Sequence, residues 1–463
     1  MLCVRSVSRV CRQTRGTHAA APVAPTALSL RQRVRTAASG TALVVGGGFA
    51  GLAAADVLVT AGMDVVLLEQ GRGLGGRMCS RTVTLGSHGE RVTFDHGCQY
   101  LTARNPLFDA ALADLQQRGA LAQWSGGLPV GAASLAEDGT VDMSTFAADT
   151  SKALWVGNPT NSAVGRALAA RAGPRLSAIT ATRVEQLSWH PHRRAWTCRA
   201  RRAGSGSSGG SSSADAAIAE LESTSFDCVV TAMSSVSTAR LLGASTSSST
   251  STSGGEAGGG SDPLAPQVVE AAEGVRSNVC WAVMVALNRK IDVPFDGALL
   301  SRPGPGPDGG PQYGPIAWLA RDSSKPGRPA VAGGAGEAWV LHGGPDWSNA
   351  RRDVAPADVA AELLRDFAHL VQTPLSSADV VHLEAHRWNN AYPLNPRPPQ
   401  AVQPQLQPQP AEGGSAAAAV PLGGHFMLRP EMRLAACGDW CKGPRAADAY
   451  LTGWEAATAL LRL

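Results

Sequence analysis

The spacing of apolar residues divides the chain into short strands alternating with helices. Thr41-Ala42-Leu43-Val44-Val45 is an apolar run rich in β-branched residues and predicts a buried parallel strand. Gly46 to Gly51 follow at once, and Leu52 to Thr60 reads as a helix with Gly62 just past its end. Asp64 to Leu68 predicts a second strand, ending in Glu69, so the three elements make one βαβ unit. Farther along, Asn105-Pro106 joins a capping side chain to a proline at the first helical position, with Leu107, Ala111 and Leu115 on one face. A short helix is predicted from Ser162 to Ala172 and a pair of strands from Thr180 to Leu187 and Trp196 to Arg199. A buried strand from Phe226 to Ala232 leads into a helix from Ser235 to Leu242, and Ala282 to Leu287 reads as a further strand. Val359, Leu363, Phe367 and Leu370 mark an amphipathic helix from about Pro356 to Val371. A strand from Arg433 to Ala436, the turn Cys437-Gly438-Asp439 and a helix from Ala446 to Leu461 close the pattern.

Four stretches interrupt it. Residues 204–213 are all Gly or Ser, 243–261 nearly all Gly, Ser or Thr, 303–315 Pro/Gly-rich and 396–424 rich in Pro, Gln and Ala. Such compositions bury too little apolar surface to order themselves. The pattern resumes in step after each, so they read as surface insertions rather than domain linkers.

Composition narrows the class. A length of 463 residues leaves room for two or three domains or one large α/β enzyme. With 44% hydrophobic and 17% charged residues the chain can bury a sizeable core, which excludes a wholly disordered protein. No apolar run reaches the ~18 residues of a spanning helix, so no integral membrane segment is expected. Nine cysteines are too sparse for a disulfide scaffold, and no spacing resembles a structural zinc site, so no metal is expected. The net charge of +4 originates at the N-terminus, where Arg5, Arg9, Arg12, Arg15, Arg31, Arg33 and Arg35 precede the first acidic residue, Asp56. The rest holds 34 basic against 37 acidic residues, no excess that would argue for nucleic acid. Residues 1–38 contain no acid and no apolar core of a secretory signal, which fits an organelle transit peptide. Val34-Arg35-Thr36-Ala37-Ala38 resembles a chloroplast processing site, with the mitochondrion as the alternative destination.

The chemistry begins at Gly46-x-Gly48-x-x-Gly51, between the predicted strand and helix. The first glycine allows a tight turn, the second lets the backbone approach a pyrophosphate, and the third lets helix and strand pack closely. Phe49 and Ala50, between the last two glycines, are expected to meet the cofactor, and the first N–H groups and positive dipole end of the helix that follows face the phosphates. Glu69, 18 residues after Gly51, can accept both ribose hydroxyls of an adenosine. Together these predict a dinucleotide site.

Gly75-Gly76-Arg77 resembles the second motif of the amine-oxidase-type flavoproteins, and Cys437-Gly438-Asp439 is similar to their late motif. Asp95-His96-Gly97-Cys98-Gln99-Tyr100 and Arg289-Lys290-Ile291-Asp292-Val293-Pro294-Phe295 resemble segments of the renalase-like family. So do Phe226-Asp227-Cys228-Val229-Val230-Thr231-Ala232-Met233, where Ser234 stands in place of the family's proline, and His386-Arg387-Trp388 with Ala391 and Pro393. These segments lie in family order across most of residues 41–463; the four insertions have no counterpart.

The resemblance implies an α/β protein in which a Rossmann-type FAD-binding domain is interleaved with a smaller α+β substrate domain. The expected FAD-binding segments are 39–105, 156–242 and 425–463, and the substrate segments 106–155 and 262–395. In such a protein Gly75 and Gly76 pass close to the FAD pyrophosphate, and Arg77 reaches phosphate or flavin. Asp439, after Gly438, accepts from the ribityl chain, and the Val184 backbone meets the adenine. Gly97, Gln99, Tyr100 and Trp388 lie near the isoalloxazine, with Tyr100 and Trp388 as walls of the substrate pocket. Tyr100 and Trp388 read equally well as core aromatics. The implied activity is hydride transfer from a small substrate, misreduced dihydronicotinamides in the renalase-like family, with O2 as acceptor. Such transfer needs no protein nucleophile, and no Ser/His/Asp or Cys/His arrangement stands out. Amine, carotenoid or porphyrinogen oxidation is the alternative within the superfamily, and a flavin-binding scaffold without turnover the alternative outside enzymes. Amine oxidases of the superfamily place a lysine on a substrate-domain strand, linked through water to flavin N5. None of Lys152, Lys290, Lys325 and Lys442 reads as that lysine. His190 and His192 read as solvated, and Cys437 and Cys441 as small buried side chains.

Overall fold

The computed structural model describes residues 40–86, 89–125, 127–203, 213–247, 264–306, 309–396 and 424–463. The expected transit peptide lies outside the described residues, as do most of the insertions at 204–213, 243–261 and 396–424. The described chain forms two compact units. The architecture is mixed α/β with a Rossmann-type layer, as the pattern predicted.

The first unit, called here the nucleotide unit, comprises residues 40–81, 159–280 and 387–463, less those not described. Its centre is a six-stranded sheet in the order Met427–Arg429, Leu434–Ala436, Cys228–Thr231, Thr41–Val45 (β1), Asp64–Leu68 (β2) and Leu176–Ile179. All neighbours are parallel except the pair at the Met427 edge. Strands covered on both faces are apolar throughout, which is why Cys228–Thr231 and most of β1 are fully buried. The helix after β1, α1 (Phe49–Thr60), starts three residues earlier than the apolar pattern indicated, directly after Gly48. The closing helix Ala446–Leu460 crosses it so closely that a Cβ on Gly453 would lie 1.9 Å from the Ala50 carbonyl oxygen.

The second unit, called here the sheet unit, comprises Thr82–Asn158 and Trp281–His386. A seven-stranded sheet supplies its core, including Glu337–Gly343, Ile316–Arg321, Gly297–Ser301 and Val130–Leu135. Helix Pro356–Leu370 lays Val359, Leu363 and Phe367 against it, and the Phe367 ring lies 5.2 Å from that of Trp339.

Several boundaries differ from those expected. Residues 82–105 belong to the sheet unit because Leu85, Val92 and Phe94 share a core with Met284, Ala286, Ala338 and Val340. Residues 262–280 and 387–395 belong to the nucleotide unit. There Val268, Val269 and Ala272 join its core, and Tyr392 and Asn395 bond Asn278 and Arg276. Two insertions are also more ordered than composition suggested. Gly243 ends a helix, Ser245 is buried with its Oγ donating to Leu241 O and accepting from Leu187 N, and Thr246–Ser247 pairs with Ser188 and Trp189. In the 303–315 stretch Pro305 and Pro311 form a bridge, and Arg302 N donates to Gln312 O at 2.7 Å.

Candidate functional site

In the nucleotide unit the two glycine motifs touch. Gly75 N donates to Gly47 O at 2.8 Å, and a Cβ on Gly76 would come within 3.2 Å of Gly48 Cα. A Cβ on Gly51 would sit 1.8 Å from Gly46 O, so the strand-to-helix turn closes only without a side chain there. Gly48 is the exception, because a Cβ on it would meet nothing within 4 Å. Its lack of a side chain is not explained by packing within the protein. A cradle open above this glycine, beside the start of α1, fits a bound pyrophosphate. Phe49 and Ala50 form the first turn at its base.

Glu69 sits beside this cradle. Its Oε2 accepts from Gly47 N at 2.7 Å and its Oε1 from Gly71 N at 2.6 Å. The carboxylate is therefore aimed by the backbone of both loops, and each oxygen keeps a further lone pair for a ribose hydroxyl. Arg77 and Asp439, expected to reach a ligand separately, are bonded to each other. The Arg77 Nη1 to Asp439 Oδ2 distance is 2.7 Å, and Nη1 also donates to Ala391 O at 2.8 Å. This joins the second glycine motif, strand Val380–Pro393 and the late turn. Gly438 holds φ of +147°, a conformation for glycine, which turns the chain between the buried strand and Asp439. Val184 is a buried core residue on strand Thr182–His190, at a bulge between Val184 and Gln186. Trp388 is half-buried on strand Val380–Pro393. Burial pushes the Cys437 thiol up to about 12 and Cys441 well above the usual range, so neither supplies a thiolate near neutral pH.

The sheet unit holds a different kind of centre. Asp95 to Tyr100 runs without helix or ladder, yet it is buried. Its backbone is satisfied by side chains. Gln99 Nε2 donates to Asp95 O and to Gly97 O, and His342 Nε2 lies 3.2 Å from His96 O. The carbonyl fixes that histidine as the Nε2–H tautomer, and burial pushes its pKa well below the usual range, so it is neutral. Asp95 N donates to Asp322 Oδ2 at 3.1 Å. Lys325 Nζ donates to Asp322 Oδ1 at 2.6 Å and to Asp95 Oδ2 and Gln99 Oε1 at 3.3 Å each. Arg328 Nη2 pairs with Asp95, and its Nη1 donates to Gly157 O at 2.9 Å. Two cations and two carboxylates thus balance out of water, as buried charges must. Burial raises the Asp322 pKa, while Lys325 and Arg328 oppose that rise.

Sequence reasoning passed over Lys325. Its buried setting is foreshadowed only by the i, i+3 spacing of Asp322-x-x-Lys325-x-x-Arg328 after a buried strand. Of the residues expected near an isoalloxazine, Gln99 is engaged on both amide atoms. Tyr100 packs in an apolar cluster with Trp124, Val156 and Trp318, its ring 5.7 Å from that of Trp318. The Arg289–Phe295 segment is held by a second ion group. Ile291 N donates to Glu337 Oε2 at 3.0 Å, and Arg321 donates to Ile291 O at 3.1 Å while pairing with Glu337 at 2.8 Å.

Residues 44–115 match the family model described as an NAD(P)-binding Rossmann-like domain. Among solved structures, wild-type putrescine oxidase bound to putrescine is similar with a TM-score of 0.57 at 11% identity, covering 92% of this chain and 100% of that one. A triple mutant from the same redesign of cofactor binding gives 0.56 at 11% identity over 92% and 99%. Cyclohexylamine oxidase from Brevibacterium oxydans gives 0.53 at 12% identity over 91% and 99%. The chain has the fold of these oxidases. Among the described residues no helix is long and apolar enough to cross a membrane.

Proposed function

We propose that this protein is an FAD-dependent oxidoreductase that takes a hydride from a small substrate and uses O2 as acceptor. The observation that carries the reading is the cradle open above Gly48, walled by the Gly75-Gly76 loop and flanked by Glu69. Bound FAD would supply the hydride acceptor and the route of electrons to O2. The chain's own part is to bind and orient. Gly46, Gly48 and Gly51 shape the pyrophosphate seat, Glu69 takes the ribose, and Arg77 fixes Asp439 toward the ribityl chain. Trp388, half-buried on strand Val380–Pro393, remains a proposed contact of the substrate.

Within that class we favour a dihydronicotinamide isomer as substrate, because the renalase-like segments occur in order. The fold shared with two amine oxidases favours an amine instead. Against it, all three N–H bonds of Lys325 point to protein acceptors. Purified residues 39–463 should be yellow, and acid precipitation should release free FAD. Anaerobic mixing with borohydride-reduced NAD should bleach the flavin within seconds. Bleaching by monoamines alone would replace this substrate by the amine, and a protein that stays colourless with added FAD would sink the oxidoreductase. We also propose import into the chloroplast, from seven arginines and no acid in the leader. A fluorescent fusion of residues 1–38 that stays cytosolic would refute that.

A further inference from the structure

We propose that Lys325 is a positioning residue, whose ammonium clamps the irregular Asp95–Tyr100 segment of the sheet unit through Asp95 and Gln99. The inference rests on geometry within that unit. An ammonium has three N–H bonds, and each has an acceptor: Asp322 Oδ1, Asp95 Oδ2 and Gln99 Oε1. The Lys325, Asp322 and Asp95 side chains are all 0% exposed. Because lysine can only donate, it dictates which end of the Gln99 amide faces it. That leaves Gln99 Nε2 turned toward the carbonyls of Asp95 and Gly97, two groups that no sheet or helix satisfies. Lys325 therefore reaches the backbone of the segment through Gln99, and Asp322 reaches it directly at Asp95 N. Arg328 balances the second carboxylate and ties the cluster to Gly157 O.

Substituting the lysine does two things at once, and the test must separate them. Lys325→Met leaves the carboxylates short of one cation, which costs stability whatever the lysine positions. The double variant Lys325→Met/Asp322→Asn restores the charge balance, Asp95 against Arg328, and an asparagine can still accept from Asp95 N. It does not restore the hold on Gln99. Cys98 lies inside the segment, buried, with its Sγ 3.2 Å from Tyr100 O, and reports opening without reference to any cofactor. Its alkylation by maleimide, read by peptide mass spectrometry, should be slow in the parent protein. In both variants it should rise by about tenfold or more, as expected when a segment opens locally rather than with the whole domain. The thermal midpoint of the double variant should return toward the parent value.

Recovery of Cys98 protection together with the midpoint would show a lysine that only balances charge, and would overturn the proposal. So would unchanged Cys98 labelling in Lys325→Met. The proposal does not rest on the function proposed above, and the failure of one is distinguishable from the failure of the other. A colourless parent protein defeats the FAD reading, whereas Cys98 labelling reads the clamp in either case.

Discussion

The cradle of the nucleotide unit and the clamp of the sheet unit both present polar groups in buried surroundings, by opposite means. In the cradle side chains are removed. Gly46, Gly51, Gly75 and Gly76 let two loops come into backbone contact, and Glu69 is aimed by the N–H groups of Gly47 and Gly71. In the clamp side chains are added. Five buried polar or charged groups, from Asp95, Gln99, Asp322, Lys325 and Arg328, hold a backbone that has no ladder of its own. A glycine cradle is as rigid as its close contacts and indifferent to charge. An ion clamp depends on every partner, because one removal leaves an uncompensated charge out of water.

The largest effect should separate two glycines of one motif. Gly51→Val places a side chain where 1.8 Å is available to Gly46 O, and should cost about 3 kcal/mol or more, or prevent folding. Gly48→Ala meets no protein atom within 4 Å, so the flavin-free protein should unfold within about 1 kcal/mol of the parent by urea titration. Its affinity for FAD should nevertheless fall. Equal destabilisation by both substitutions would mean that Gly48 also serves packing, and the cradle would lose its main support.

The same contrast explains what could be read from the sequence. The glycines of the cradle are neighbours in sequence, and each acts on its own turn, so spacing alone exposes them. The βαβ unit and helix Pro356–Leu370 were legible for a related reason, because their periodicity is local. The start of α1 was placed three residues late because Phe49, Ala50 and Gly51 look like loop when the motif is read as a loop. Gly453, which admits Ala50, lies about four hundred residues from it and had no signal. The clamp draws on Asp95–Gln99, Asp322–Arg328 and Gly157, which only the sheet topology brings together. Arg77 and Asp439 were each read as ligand-facing; that they pair with each other was not visible from either motif.

The next effect probes the clamp from its other cation. Arg328→Met leaves Asp95 with Lys325 alone and Gly157 O without its donor. It should cost about 3–5 kcal/mol in urea unfolding, the usual result of breaking a buried pair. A loss under about 1 kcal/mol, as for surface ion pairs, would show that water reaches the cluster and that the contrast with the cradle is overstated.

A smaller effect tests where one insertion begins. Deleting 248–261 should leave stability nearly unchanged, since loop closure changes by only about 0.6 kcal/mol per doubling of length. Deleting 243–261 also removes Ser245, whose Oγ serves Leu187 N and Leu241 O. That deletion should cost about 1–3 kcal/mol, the penalty of leaving a buried polar group unsatisfied. Equal behaviour of the two deletions in thermal unfolding would mean that the buried serine contributes nothing.

The smallest effect concerns a carboxylate of the sheet unit that has no clamp. Asp366 sits on helix Pro356–Leu370 with its Oδ2 buried and lacking a hydrogen-bond partner. Burial, and then the neighbouring Glu362 carboxylate, raise its pKa above the usual aspartate value. The folded state therefore holds this proton more tightly than the unfolded chain does. Stability from this group is greatest below the unfolded pKa near 3.8 and declines as pH rises through the higher folded value. Asp366→Asn removes the ionisation, so it should stabilise the protein at pH 7 by less than about 1 kcal/mol. The gain should shrink as pH falls through the folded pKa of Asp366 in the parent. Asp95, whose carboxylate meets two cations, should show the opposite sign when neutralised to asparagine at pH 7, because Lys325 and Arg328 are then left short of a partner. Unfolding curves at pH 4 and pH 7 would read both signs. A destabilising Asp366→Asn at pH 7 would mean that Arg365 and Arg351, which lower this pKa, outweigh burial and Glu362.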